Sequence, residues 1–171
     1  IYDLEFIGDV SNPRTCRIWD VAVLCVSTRE TFRAVIDPDP HIMYFPPPPV
    51  PECMHLTRDF LYKHRAKIFG HVFVKLVKWV YNRTPHVPIF ISHNNFRSDK
   101  IILETEAMRY NMVLPNTWRF FDSLLFIRDK LPNMREYNMS YLVKHILHTE
   151  PKNMHRAMTD TIYLYKIMRA L

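Results

Sequence analysis

Glycine is almost absent from this chain. Gly8 and Gly70 are its two glycines in 171 residues, far apart in the sequence. That excludes the glycine-rich phosphate loops of both common types. Cysteine is scarce as well. Cys16, Cys25 and Cys53 are odd in number, and no C-x-x-C pair occurs. Cys53-x-His55 alone does not make a zinc site, which needs four ligands. These cysteines read as reduced thiols of an intracellular protein, cytosolic or nuclear. No apolar run is long enough to cross a membrane. Asp3 and Glu5 fall where a secretory leader would need positive charge, so no leader is read here.

What remains is the composition of a globular chain. Hydrophobic residues make up 48% and aromatics 13%, enough for one domain over residues 1–171 with a sizeable core. The net charge of +6 and pI near 9.3 permit a polyanionic partner without requiring one.

Strand patterns come first. Residues 1–6 alternate, so Tyr2, Leu4 and Phe6 share one face and Asp3 and Glu5 the other. Residues 17–28 and 31–37 read as two further strands, joined by turns at Asn12-Pro13 and at 27–30. Pro46 to Pro49 sits in an extended loop over 38–51. Thr57 can cap a short helix to Arg65. A helix over 70–82 would bury Val72, Val74, Leu76, Val77 and Val80. Apolar runs at 87–92 and 119–121 predict strands buried on both faces. Ser98 can cap a helix to about 111, with Glu104 and Glu106 solvated. Helices follow over 123–130, 140–148 and 156–171. Strands first, then strand–helix alternation, predict an α/β fold with a mixed sheet covered by helices.

Charged residues stand out against this frame. An Asp-x-Glu strand, taken alone, reads as an exposed edge with two solvated acids. Asp99 lies in the first turn of its helix, where the helix dipole favours an acid by about 0.3–1 kcal/mol. Asp160, however, shares a stripe with Ala157, Leu164, Met168 and Leu171. An acid on a packing face needs a partner. His155, just before that helix, overhangs whatever Asp160 holds. Four carboxylates converging at a sheet edge would bind two divalent ions about 3.5–4 Å apart, the arrangement for in-line phosphoryl displacement. Oxygen ligands select Mg²⁺ or Mn²⁺ over zinc. A histidine is suited to take a proton from attacking water near neutral pH.

Three segments, Asp3-Leu4-Glu5, His93-Asn94-Asn95-Phe96-Arg97-Ser98-Asp99 and His155-Arg156-Ala157-Met158-Thr159-Asp160, resemble in order the three motifs of the DEDDh, or DnaQ-like, 3′–5′ exonucleases. The resemblance spans essentially the whole chain. Met54-His55-Leu56-Thr57 resembles the family's His-Gly-Ile-Thr. Phe121-Asp122-Ser123 resembles its Asp-Thr, and Asn138 to Leu142 resembles its Leu-x-x-Leu helix. Asp99 follows His93 by six positions where the commonest pattern has five, which resembles the TREX-like branch.

The resemblance implies a ribonuclease H-like fold with a five-stranded mixed sheet. It implies metal ligation by Asp3, Glu5, Asp99 and Asp160, with His155 as general base. The reaction implied is hydrolysis of a 3′-terminal phosphodiester of DNA or RNA, releasing a nucleoside 5′-monophosphate. Leu4, Phe6, His93, Asn94, Arg97, Lys100 and Arg156 would meet the single-stranded or 3′-end nucleic acid. The chain has Phe6-Ile7-Gly8 where the family usually has Thr-Thr-Gly after the Glu. Arg58, Lys63, Arg65, Lys67, Lys75, Lys78 and Arg83 are opposed only by Asp59 between 58 and 83, either as a solvated face or as a phosphate track. A second reading is a catalytically impaired nucleic-acid-binding module of the same fold. A third, a basic interaction protein, leaves Asp160 on its apolar stripe unexplained.

Overall fold

The computed structural model describes residues 1–38, 56–84 and 86–171. The proline run 46–49, the Cys53-x-His55 pair and Met54-His55 lie outside them. β1 (Tyr2–Ile7), β2 (Arg17–Leu24) and β3 (Thr31–Asp37) form an antiparallel meander. Opposite partners include Tyr2 with Val23, Leu4 with Val21 and Glu5 with Asp20, and the register slips between Glu5 and Phe6. A short helix, α1 (Arg58–Lys63), follows, and then β4 (Lys67–Ile68), which pairs parallel to β3. After α2 (Phe69–Tyr81) come β5 (Ile89–Ser92), α3 (Asp99–Arg109) and β6 (Arg119–Asp122). The chain closes with α4 (Ser123–Lys130), α5 (Met139–Ile146) and α6 (Ala157–Ala170).

The expected five-stranded sheet is therefore six strands in two sheets among the described residues, β1-β2-β3-β4 and the parallel pair β5-β6. Side chains join the two sheets. The Tyr2 ring meets Phe90 edge-on at 5.3 Å. The Tyr2 hydroxyl donates to Asn95 Oδ1, and Asn95 Nδ2 donates to the Phe121 carbonyl at 2.9 Å. The Leu4 N–H goes to an Asp99 oxygen instead of a strand partner. A side-chain seam thus replaces backbone pairing between β1 and β5.

The alternation in β1 decides the layering. Tyr2 and Leu4 enter the main core with Ile18, Val21 and Val23 of β2, Phe69, Val72, Phe73 and Leu76 of α2, and Ile102 and Leu103 of α3. Asp3 and Glu5 face the other way, towards α6, which packs on β1 and β2. A second cluster joins α4, α5 and α6 through Ile127, Leu142, Val143 and Ile167. Caps set several helix starts. Thr57, Asp122 and Asn138 each accept a backbone N–H from the first turn of α1, α4 and α5. Gly8 ends β1 with φ +113°, and a Cβ there would lie 2.6 Å from the Thr15 carbonyl oxygen.

Several expectations give way. Val74 is exposed, while Phe69 and Phe73 take the buried positions of α2. β2 ends at Leu24, before the turn. The Ser98 side chain makes no cap bond. Glu106 is buried, being four residues after Ile102 and three after Leu103, and it pairs with Arg109 one turn on. Ile89 is 61% exposed, and Phe121 is exposed as well. A two-stranded ladder at the margin covers one face at most. In α6 the stripe runs through Thr161, Leu164 and Ile167, leaving Met168 half-buried and Leu171 exposed. No helix among the described residues is long and apolar enough to cross a membrane.

Candidate active site

Four carboxylates meet in one cleft. Asp3 and Glu5 project from the polar face of β1. Asp160 comes from the first turn of α6, and Asp99 from the first residue of α3. All four line the cleft, together with His93, Ser98, His155 and the rim residues Asn138, Met139, Ser140 and Met154. One oxygen each from Asp3, Glu5 and Asp160 lies within 4.8 Å of the others. Asp99 is fixed against β1 by the Leu4 N–H, which donates to its Oδ1 at 3.1 Å.

This gathering is electrostatically adverse. Burial pushes the Glu5 carboxyl up to about 8, and Asp160, Asp20 and Asp99 push the same way, while Arg156 opposes them. Asp3 is held well above the carboxylate range by burial and by Asp99, Glu5 and Asp160. Asp99 is raised to about 7 by burial, partly offset by backbone N–H groups including that of Leu4. Asp160 rises to about 6 for the same first reason, offset by the His155 N–H, which donates to its Oδ2 at 3.0 Å. Its other oxygen, Oδ1, is buried with no partner. Buried like charges favour protonation or a cation between them. An orphaned oxygen on Asp160, the carboxylates of Asp3 and Glu5 within ligand reach of it and no cysteine in the lining fit a hard divalent ion such as Mg²⁺ or Mn²⁺.

His155 is exposed at the mouth of the cleft, with its backbone in the left-handed region at φ +60°. That conformation is unfavourable for a side chain with a Cβ. It is held by the His155 N–H bond to Asp160, so one aspartate positions the histidine and lines the cleft.

The other sequence-predicted residues divide. Leu4 and Phe6 line the cleft, but Leu4 is also a core residue and Phe6 is half-buried against that core. His93 lines the cleft too, with its ring nitrogens on Ser123 Oγ at 3.2 Å and the Tyr137 carbonyl at 2.6 Å. Asn94 takes φ +59° and turns the chain towards Asp99. Asn94, Arg97, Lys100 and Arg156 are not among the lining residues. Lys100 is drawn aside, 3.2 Å from Glu104 and over the Phe120 ring. Arg156 lies over the Phe60 ring at 5.7 Å.

Sequence reasoning passed over Asp20, and it noted Asp122 by resemblance without giving it a role. Asp20 is fully buried opposite Glu5, and Arg33 donates to both its oxygens, at 3.3 and 2.9 Å. The signal was an acid inside the apolar run Ile18-Trp19-Asp20-Val21. Asp122 accepts from Leu124 N at 2.9 Å and from Phe96 N at 3.1 Å, tying β6 to the turn before Asp99.

No family model matches this sequence, and no curated protein sequence matches it. Solved structures do match by fold. One is the crystal structure of cell-death related nuclease 4 (CRN-4), with a TM-score of 0.68 at 13% identity, covering 98% of this chain. The chain spans 61% of that protein's length. The shared fold is the ribonuclease H-like arrangement of a mixed sheet flanked by helices.

Proposed function

We propose that this chain is a metal-dependent 3′–5′ exonuclease of DEDDh type. It would release nucleoside 5′-monophosphates from the 3′ ends of DNA or RNA. The observation that carries this reading is the convergence of Asp3, Glu5, Asp99 and Asp160 on one cleft, with His155 at its mouth. Asp3, Glu5 and Asp160, with Asp99 beside them, would hold Mg²⁺ or Mn²⁺. Two such ions would neutralise charge on the attacking and leaving oxygens of an in-line displacement.

The chain's own groups supply the rest. His155 takes the proton from the attacking water, being the cleft's exposed imidazole. The Asp160 carboxylate keeps the His155 backbone in place through its N–H. Phe6, half-buried against the core and lining the cleft, would support the terminal nucleotide. Cys16 and Cys25 are free and buried, in keeping with an intracellular setting.

The test is degradation of 5′-labelled single-stranded DNA and RNA with Mg²⁺ or Mn²⁺. The expected products are a ladder shortened from the 3′ end and free nucleoside 5′-monophosphates, both abolished by EDTA. An oligonucleotide bound but left intact under either metal would favour the impaired binding module instead.

A further inference from the structure

Seven basic residues between 58 and 83 divide sharply by partner. Arg58 meets Asp37 at 3.3 Å and Arg83 meets Glu30 at 2.8 Å. Lys75 and Lys78 are exposed along α2, the ordinary solvated face of an amphipathic helix. Lys63, Arg65 and Lys67 are exposed too and, like Lys75 and Lys78, have no acid partner among the described residues. They differ in place: they cluster where α1 turns into β4, around a recess that Asp37, paired with Arg58, also lines. Asp59, in the first turn of α1, is the one acid on that helix.

One feature sets this corner apart from a solvated turn. Tyr62 lines the same recess with 89% of its surface exposed, an aromatic face left uncovered by the described residues.

The corner is also coupled to the acidic cleft through α1. Phe60 of α1 packs edge-on against Trp19 at 6.0 Å, and its ring carries the guanidinium of Arg156, the neighbour of His155. Arg156 and Phe60 therefore join the residue beside His155 to α1, the helix that carries Tyr62 and Lys63.

We infer that the α1–β4 corner is a binding track for the single-stranded nucleic acid whose 3′ end enters the cleft. Lys63, Arg65 and Lys67 take backbone phosphates and Tyr62 stacks a base. The inference rests on the exonuclease reading for its direction. Its chemistry is that of single-strand grooves, which combine cations tracking the backbone with an aromatic platform.

The test separates the track from the cleft. Binding of oligothymidylates of 4 and 20 nucleotides is measured with Ca²⁺, against hydrolysis of the p-nitrophenyl ester of thymidine 5′-monophosphate with Mn²⁺. That ester is small enough to need the cleft alone. The variant Lys63→Glu/Arg65→Glu/Lys67→Glu is expected to lose the affinity gained on going from 4 to 20 nucleotides. Its salt slope should fall by about 2, from three phosphate contacts. Tyr62→Ala should weaken the 20-mer about fivefold or more. Ester hydrolysis should stay at the wild-type rate in both, and Lys75→Glu/Lys78→Glu should keep the full length gain. If the triple variant misfolds, Tyr62→Ala and the three single reversals carry the test. A triple variant with the wild-type length gain and salt slope would overturn the track. Failure of the wild type to hydrolyse the ester would count against the exonuclease reading and leave the binding comparison standing.

Discussion

The two faces of β1 follow opposite rules. Tyr2 and Leu4 point into the main core among apolar side chains, and the Tyr2 hydroxyl finds a hydrogen-bond partner in Asn95. Asp3 and Glu5 point into a cleft where three of the nearest charges are other carboxylates. At successive residues of one strand, the chain gains stability on one face and gives it up on the other. Burial of like charge is tolerated because the apolar face holds the strand in place. Strain of this sort concentrates at sites that act on something else.

The largest effect should come from neutralising the polar face. Glu5→Gln and Asp160→Asn should each lower nuclease turnover by about 10³-fold or more, as loss of charge complementarity at a reacting phosphate does. The same variants should unfold at higher temperature than wild type in EDTA at pH 8, because a repelling charge has gone. Thermal unfolding without metal checks this. A drop in melting temperature for both would mean that the acids are structural.

His155→Ala should reduce turnover by about 10²–10⁴-fold, the range for a general base, with Mn²⁺ affinity unchanged. Single-turnover rates and a Mn²⁺ titration on the same preparation separate the two. His155→Gly should relieve the left-handed backbone and melt no lower than the alanine variant, with the same loss of rate.

On the apolar face the sign reverses. Leu4→Ala should cost about 2–5 kcal/mol, the range for deleting a buried leucine side chain, read from denaturant unfolding. Turnover per folded molecule should stay within a few-fold of wild type, since the Leu4 N–H that anchors Asp99 is retained.

The smallest effect is a pH dependence, and its sign follows from the raised carboxyls. Glu5 holds its proton to about 8 in the folded chain against 4.5 as its ordinary value. Between those values the folded state binds more protons than the unfolded one. Stability without metal is therefore greatest below about pH 4.5 as far as this group is concerned, and falls as pH rises towards 8. Asp99 and Asp160 act in the same direction up to about 7 and 6. Melting temperature in EDTA should decline by roughly 5–10 °C across that window, and Glu5→Gln should flatten the decline.

How much of this was legible in the sequence depends on what each residue needed. Alternation alone gave the two faces of β1, because period 2 leaves a short strand no other choice. The stripe on α6 singled out Asp160, because an acid on the packing face between Ala157 and Leu164 needs a polar or cationic partner there. Glu106 was hidden although it stands on the same face as Ile102 and Leu103. Its partner Arg109 lies a turn away, and charge type outweighed spacing. Asp20 was hidden inside a strand, and its cation, Arg33, becomes its neighbour only through pairing of β2 with β3. The runs at 87–92 and 119–121 looked doubly buried because apolar composition does not say how many layers cover a strand. Ile89 and Phe121 stand at the margin, where one face is open.

Calorimetric titration of Mn²⁺ into the protein at pH 8, wild type beside Asp160→Asn, tests the demand of this cleft for a cation most directly. Asp160 carries the buried oxygen with no partner, so its loss should weaken binding by about tenfold or more. Saturable binding in the wild type with that loss in the variant is the predicted result. No heat beyond dilution in the wild type, or equal affinity in both, would contradict the reading of Asp3, Glu5, Asp99 and Asp160 as a metal site.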